Sequence, residues 1–189
     1  MTRRLTLVTP ALVPSARAGV LGGDDPLDQA GRELARRVSE RVGPGTTSLV
    51  SAPQRRCRET ASFLGSPAVE PGLRDWDMGD WTGRTLAEVA QEQPSAVERW
   101  RATGEAPHGG ETLAQVLGRV AAWLDGLAVD GGRLVAVVPH AVARACVVRV
   151  LDCPAGSFWS IDVEPGALVS VSLTSAGMRL RWSGASGQG

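Results

Sequence analysis

Residues 133–151 read RLVAVVPHAVARACVVRVL, and this stretch decides the fold class. Its first six residues are almost entirely apolar, which is typical of a β-strand that is covered on both faces. The residues from about Ala141 to Leu151 predict a helix directly after it. A buried strand that leads into a helix is the repeating unit of a largely parallel α/β sheet.

Strand and helix patterns alternate along the rest of the chain. Further strands are predicted at Leu5–Val8, Thr47–Val50, Ala167–Leu173 and Met178–Trp182. Further helices are predicted at Pro26–Val42, Pro53–Leu64, Thr85–Gln91, Ser95–Ala102 and Thr112–Leu127. We expect an α/β fold with three layers, α/β/α, in which a mainly parallel sheet carries an antiparallel edge. The length fits one domain, placed at residues 1–182, with a flexible polar tail at 183–189.

The composition argues against several classes of function. Basic and acidic residues number 20 each, so no overall charge favours nucleic acid or an anionic membrane. All basic residues are arginine, a bias that we attribute to a GC-rich bacterial genome. Cys57, Cys146 and Cys153 lack the spacing of a disulfide framework or a zinc site, so each is expected to be a small buried hydrophobe.

The N-terminus has some features of a signal peptide, namely two arginines, a short apolar run and Ala16-Arg17-Ala18 as a cleavage site. However, Pro10 interrupts the apolar run, and the predicted fold needs its first strand here. We therefore expect a cytoplasmic location. No apolar run is long enough to cross a bilayer, so no membrane association is expected.

The predicted strands also indicate where a ligand would bind. In sheets of this type, ligands bind beyond the carboxyl ends of the strands. The loops after residues 8, 50 and 138 are the ones concerned, and the second and third place Arg56 and His140 at the starts of helices. A guanidinium and an imidazole beside helix N-termini predict an anion-binding crevice.

Short motifs in one consistent order resemble the histidine phosphatase superfamily, which includes phosphoglycerate mutases and α-ribazole phosphatases. The matching residues are Ser51, Pro53, Arg56, Thr60 and Ala61; Leu73, Asp75, Gly79, Trp81 and Gly83; Gly109 to Thr112; and His140 after a strand. The resemblance extends from about Leu5 to Leu173. It implies a phosphoglycerate mutase-like fold.

The first motif of that family, an Arg-His-Gly directly after the first strand, is missing. Thr9 stands where the family has a phosphate-binding arginine, Pro10 where it has the histidine that becomes phosphorylated, and Ala11 where it has the glycine. Asp75 stands where glutamate is usual, so its carboxylate reaches one methylene less far. Since Pro10 has no nucleophilic side chain and no backbone N–H, the covalent step of the family is not expected here.

The retained residues are the candidates for activity. Arg56 offers a planar fork to a phosphate or carboxylate, and His140 and Asp75 are candidate acid–base catalysts. Arg17 is a candidate to replace the charge lost at position 9, and Thr9 is a candidate anion contact or substitute nucleophile. Structural alternatives are a surface charge for either arginine, a helix cap for His140 and a turn residue for Asp75.

His108 and Glu111 flank a glycine pair in a region that borders the substrate in the family, which makes both candidate substrate contacts. The alternatives are a flexible loop histidine and a carboxylate that favours a helix dipole. Trp76, Trp81 and Trp100 are expected to pack in the core or in a lid.

Three functions remain open. The first is a diverged enzyme that uses the anion pocket for elimination, isomerisation or hydrolysis of a small anionic metabolite, in a specialised biosynthetic pathway. The second is an inactive pseudophosphatase that binds a phosphorylated or carboxylated ligand or a protein partner. The third is a phosphatase with a substitute nucleophile such as His140. The resemblance implies no metal and no cofactor, and since family members are often dimers, a homodimer is also open.

Overall fold

The computed structural model describes residues 1–181, in which six strands form one sheet. The strands are β1 Thr2–Val8, β2 Ser48–Ser51, β3 Ala68–Val69, β4 Arg133–Val137, β5 Leu168–Thr174 and β6 Gly177–Arg181. Their order in the sheet is β3-β2-β4-β1-β5-β6. The first four strands pair in parallel, and β5 and β6 pair antiparallel to their neighbours. The predicted sheet is therefore confirmed.

Helices cover both faces of this sheet. The α-helices are α1 Pro14–Arg17, α2 Gln29–Val42, α3 Arg55–Ser62, α4 Leu86–Glu92, α5 Pro94–Thr103, α6 Leu113–Asp125 and α7 His140–Leu151. Short 3-10 helices span Pro71–Leu73, Gly79–Trp81 and Ala155–Ser160. Every residue from Leu134 to Val138 is buried, so both faces of β4 are covered, as its apolar sequence predicts.

All the predicted strands and helices exist, and particular side chains shift some of their ends. The helix predicted from Pro26 begins at Gln29, because the carboxylate of Asp28 accepts a hydrogen bond from the backbone N–H of Gly31 at 2.8 Å and caps it. This correction removes Pro26 from the first turn.

The helix predicted from Pro53 begins at Arg55, where the carboxylate of Asp24 accepts the backbone N–H at 2.7 Å. The first strand begins at Thr2 and not at Leu5, because its first residues pair with the end of β5. Sequence periodicity does not reveal such tertiary contacts.

The shortest elements were not predicted, namely α1, β3 and the 3-10 helices, because they are too short to show a period.

The loops that contain Gly79 and Gly110 are in close contact. A Cβ on Gly79 would lie 2.0 Å from the backbone oxygen of His108, and a Cβ on Gly110 would lie 2.1 Å from that of Asp77. The glycines of two distant motifs thus allow one loop–loop contact.

Several expectations concern the chain as a whole. Trp182 of the last predicted strand and the tail predicted at 183–189 lie outside the described residues, so the domain limits stay a prediction. Across residues 1–181, no helix is both long and apolar enough to span a membrane. Cys57 and Cys146 are buried as expected, whereas Cys153 is only half-buried.

Candidate active site

A cavity of about 220 Å³ opens at the carboxyl edge of the sheet. The strands β2, β4 and β1 are adjacent and parallel, so the chain leaves all three at this edge. The segment after β1 contributes Ala11 and Leu12, α3 contributes Arg56, and α7 contributes His140 and Arg144. Asp75 also lines the cavity, so the structure brings Arg56, Asp75 and His140 together.

Arg56 is buried and is held by groups of the protein itself. One of its terminal nitrogens donates to Asp75 Oδ2, and the other donates to the backbone oxygen of Gly23. The second nitrogen also lies 3.6 Å from Asp24 Oδ1. Asp75 Oδ1 in turn accepts the backbone N–H of Trp76 at 2.8 Å. The guanidinium is therefore fixed in position and paired with carboxylates.

The backbone N–H groups at the start of α3 are not free to bind an anion, although the predicted anion site would use them. Asp24 accepts hydrogen bonds from the backbone N–H groups of Arg55 at 2.7 Å and Arg56 at 3.1 Å. This carboxylate occupies the helix N-terminus, where an external anion would otherwise bind. The helix dipole is thus satisfied internally.

His140 is the first residue of α7, and it is half-buried. Burial lowers the pKa of its imidazole; the charges of Arg56 and Arg144 act in the same direction, and those of Asp75 and Asp162 oppose them. Because its pKa is lowered, the imidazole is mainly neutral at pH 7 and able to accept a proton. Pro139 occupies the cap position of the helix, so His140 is not its cap.

Thr9 lies away from the cavity and links parts of the framework. It is fully buried, its hydroxyl donates to the backbone oxygen of Glu164 at 2.6 Å, and the hydroxyl accepts the backbone N–H of Ala167 at 2.9 Å. Pro10 is also buried and is not among the residues that line the cavity. The end of β1 thus presents no nucleophile there.

Arg17 is likewise outside the cavity. Its guanidinium forms a surface ion pair with Asp28, and one nitrogen donates to the backbone oxygen of Leu12 at 3.3 Å. The hydrogen bond from Arg17 lowers the pKa of Asp28 to about 2. Arg17 therefore does not bring a positive charge to the cavity in place of the arginine that is missing at position 9.

His108 is a core residue and not a flexible loop histidine. Its ring centroid lies 5.0 Å from that of Trp81 and 6.4 Å from that of Trp100, and its Nδ1 accepts the backbone N–H of Gly110 at 3.1 Å. Burial lowers its pKa against the opposing charges of Asp77 and nearby Asp80. It does not line the cavity.

Glu111 supports the loop that carries Asp75. Its carboxylate is bonded to Arg74 at 2.6 Å and Arg119 at 2.8 Å, and it accepts the backbone N–H of Asp77 at 3.3 Å. Burial disfavours its ionised form, but the hydrogen bond and the charge of Arg119 prevail and lower its pKa. Glu111 is therefore the centre of an ion network, and it does not line the cavity.

The cavity residues that the sequence did not indicate include the charged or aromatic side chains of Arg144, Phe158 and Trp159. Arg144 follows His140 by four positions on α7, so the two share one helix face, and this spacing could have identified it. Trp76 and Trp100 also line the cavity, whereas Trp81 does not. Within residues 1–181, no three His, Cys, Asp or Glu side chains are grouped as a metal site would require.

Comparison with known proteins assigns the chain to a family. Residues 16–185 match the histidine phosphatase superfamily (branch 1), and the match begins after Thr9-Pro10-Ala11. A bifunctional protein of Mycobacterium tuberculosis is 31% identical over 132 residues, which cover 66% of this chain and 36% of that protein.

The glucosyl-3-phosphoglycerate phosphatase of M. tuberculosis is 36% identical over 103 residues, which cover 51% of this chain and 46% of that protein. The matched region thus spans less than half the length of either relative. The structure of a mycobacterial glucosyl-3-phosphoglycerate phosphatase complexed with VO3 is 26% identical with a TM-score of 0.85, over 95% of this chain and 97% of that one. The chain belongs to the histidine phosphatase superfamily.

Proposed function

We propose that this protein binds a small organic anion in the cavity and uses His140 to transfer a proton, without forming a phosphohistidine. The reaction class is elimination, isomerisation or direct hydrolysis. One observation carries the proposal: Arg56, Asp75 and His140 line one cavity, while the end of β1 supplies neither a nucleophile nor an arginine.

The chemistry follows from the state of His140. Its lowered pKa leaves the ring neutral at pH 7, so the ring can take a proton from the ligand or from a water molecule and return it later. Arg56 keeps Asp75 in place beside the cavity, and Arg144 adds positive charge one helical turn from the imidazole. A covalent step at position 10 is not part of this scheme, because proline has no nucleophilic group.

A second candidate is ligand binding without chemistry. It is favoured by the internal pairing of Arg56, whose guanidinium is already bonded to Asp75 and Gly23 and lies near Asp24. A group that is neutralised in this way contributes less to the binding of a phosphate than an unpaired arginine would. On this reading the cavity recognises its ligand chiefly through other residues.

A third candidate is a phosphatase that uses His140 as a substitute nucleophile. Similarity to a phosphatase favours it, because the glucosyl-3-phosphoglycerate phosphatase of M. tuberculosis is 36% identical to this chain over 103 residues. It requires a phosphoryl group on His140, which the proton-transfer scheme does not.

The first experiment screens the purified protein against phosphorylated and carboxylated metabolites by thermal shift, with product formation followed by NMR. Binding is then compared in Arg56→Ala, His140→Ala and Arg58→Ala, the last being an exposed arginine on the same helix. We expect Arg56→Ala and His140→Ala to weaken binding or turnover and Arg58→Ala to match the wild type.

A phosphoenzyme assay with a radiolabelled phosphoryl donor separates the candidates. The proposal predicts turnover with no acid-labile phosphoprotein. Labelling that disappears in His140→Ala would establish the substitute-nucleophile phosphatase. Binding without any turnover would support the ligand-binding candidate, and absence of binding for the whole panel would refute the proposed function.

A further inference from the structure

Aromatic side chains form a continuous wall of the cavity. They are Trp76, Trp100, Phe158 and Trp159, and neighbouring ring centroids lie 5.0 to 5.8 Å apart. They come from three separate segments, and three of the four are buried, so packing holds the wall in place. Aromatic faces offer apolar area and π-contacts, and a phosphate group by itself uses neither.

The rest of the lining is poor in hydrogen-bonding groups. Among the cavity residues of the described chain, only Arg56, Asp75, His140 and Arg144 have polar side chains that can ionise, and none is Ser, Thr, Asn or Gln. The hydroxyls of a sugar or polyol would lose water here with few partners in return. The cavity volume of about 220 Å³ also lies below the range of about 300 to 1,000 Å³ that is typical of drug-sized ligands. A small and mostly apolar ligand fits these properties.

Arg144 is the cavity cation with the most unused donor capacity. Its nearest carboxylate is that of Asp162, at 3.5 Å, and the Asp162 side chain is 93% exposed. Its guanidinium carbon lies 5.8 Å from the ring centroid of Phe158. Its buried Nε has no hydrogen-bond partner within residues 1–181. Arg56, by contrast, already donates from both of its terminal nitrogens to its own neighbours.

We propose that the ligand is a small aromatic acid whose ring packs against this wall and whose carboxylate or phosphate is bound by Arg144 next to His140. The inference rests on the proposed function, because it assumes that an organic anion occupies this cavity. It makes Arg144 and the aromatic wall the specificity determinants.

Two pairs of probes test the ligand class by isothermal titration calorimetry, namely phenyl phosphate against glycerol 3-phosphate and benzoate against acetate. Each aromatic probe is expected to bind about tenfold more tightly than its partner, because it buries apolar area that the other lacks. Trp159→Leu should reduce this preference, while Trp123→Leu, a half-buried tryptophan outside the cavity, should leave it unchanged.

The role of Arg144 is tested with Arg144→Gln and Arg144→Lys, after circular dichroism confirms that both fold. We expect Gln to weaken phenyl phosphate binding about tenfold and Lys to weaken it less, because Lys keeps the charge and loses the planar fork. The control is Arg149→Gln, on the same helix and paired with Asp125 at 2.8 Å. It should bind as the wild type does.

Equal affinity within both probe pairs, or no binding of any of the four, would overturn the aromatic assignment. Unchanged binding in both Arg144 variants together with loss in Arg56→Ala would overturn the role of Arg144 and leave the proposed function intact. The proposed function itself fails if the wider metabolite panel also shows no binding, if binding occurs without turnover, or if a phosphohistidine forms.

Discussion

The ends of β1 and β4 lie side by side in the sheet, yet they serve different purposes. After β1, the polar groups are buried and bonded, since the hydroxyl of Thr9 joins Glu164 and Ala167. After β4, His140 and Arg144 line a cavity, and the Nε of Arg144 has no partner within residues 1–181. In this family the first of these loops carries the phosphorylated histidine.

The difference separates two uses of buried polar groups. A group whose donors and acceptors are all paired holds the fold together, and its removal leaves a partner unsatisfied. A group that is held in place but not fully paired keeps capacity for a ligand. By this criterion, Thr9 and Glu111 are framework residues, and the residues at the start of α7 are the candidates for function.

The largest effect on stability is expected for Glu111→Gln. The change leaves Arg74 and half-buried Arg119 without their carboxylate, which should cost about 3 kcal/mol in the free energy of unfolding by urea. Because the folded-state pKa of Glu111 is lowered, the contribution is present at neutral pH and is lost as the pH falls below 4.5. Glu98→Gln, on the exposed side of α5, is the control; a loss below about 1 kcal/mol would contradict the framework role.

Thr9→Val tests the end of β1 directly. The isosteric change removes both hydrogen bonds of the hydroxyl and should cost about 2 kcal/mol in urea unfolding. Ligand binding should not change, since Thr9 does not line the cavity. Thr103→Val, an exposed threonine of α5, should have little effect. Intact stability with lost binding would reverse the comparison.

His140→Gln should change the pH dependence of stability more than stability itself. The folded-state pKa of His140 lies below the ordinary 6.5, so the unfolded chain takes up its proton first and the wild type loses stability as the pH falls through 6.5. Measured by urea unfolding, the free energy of unfolding should fall less between pH 8 and pH 5.5 in His140→Gln than in the wild type. The remaining slope belongs to His108, whose pKa is also lowered. Equal slopes in both proteins would disprove the assignment.

The smallest effect is expected for Pro10→Ala. Replacing a buried proline by alanine adds freedom to the unfolded chain and should cost less than about 1 kcal/mol. Binding of phenyl phosphate should stay the same, because the cavity begins at Ala11. A large change in binding would show that position 10 still takes part in the site.

Much of this architecture could be predicted because local patterns carry it. The apolar run at residues 134–138 is buried on both faces, and the hairpin signal TSAG joins the last two strands as expected. The same patterns could not reveal β3, which has two residues, or the start of α2, which one side chain of Asp28 decides.

The sequence by itself determined the order along the chain of the longer strands and helices, the family, and the absence of a nucleophile at position 10, because each depends on residue type and spacing along the chain. Only the tertiary structure decided which candidates meet. It brought Arg56, Asp75 and His140 to one cavity, and it placed Arg17 in a surface ion pair. The reason is physical: whether a charged side chain serves a ligand depends on whether partners distant in sequence already neutralise it, and folding alone brings those partners within reach.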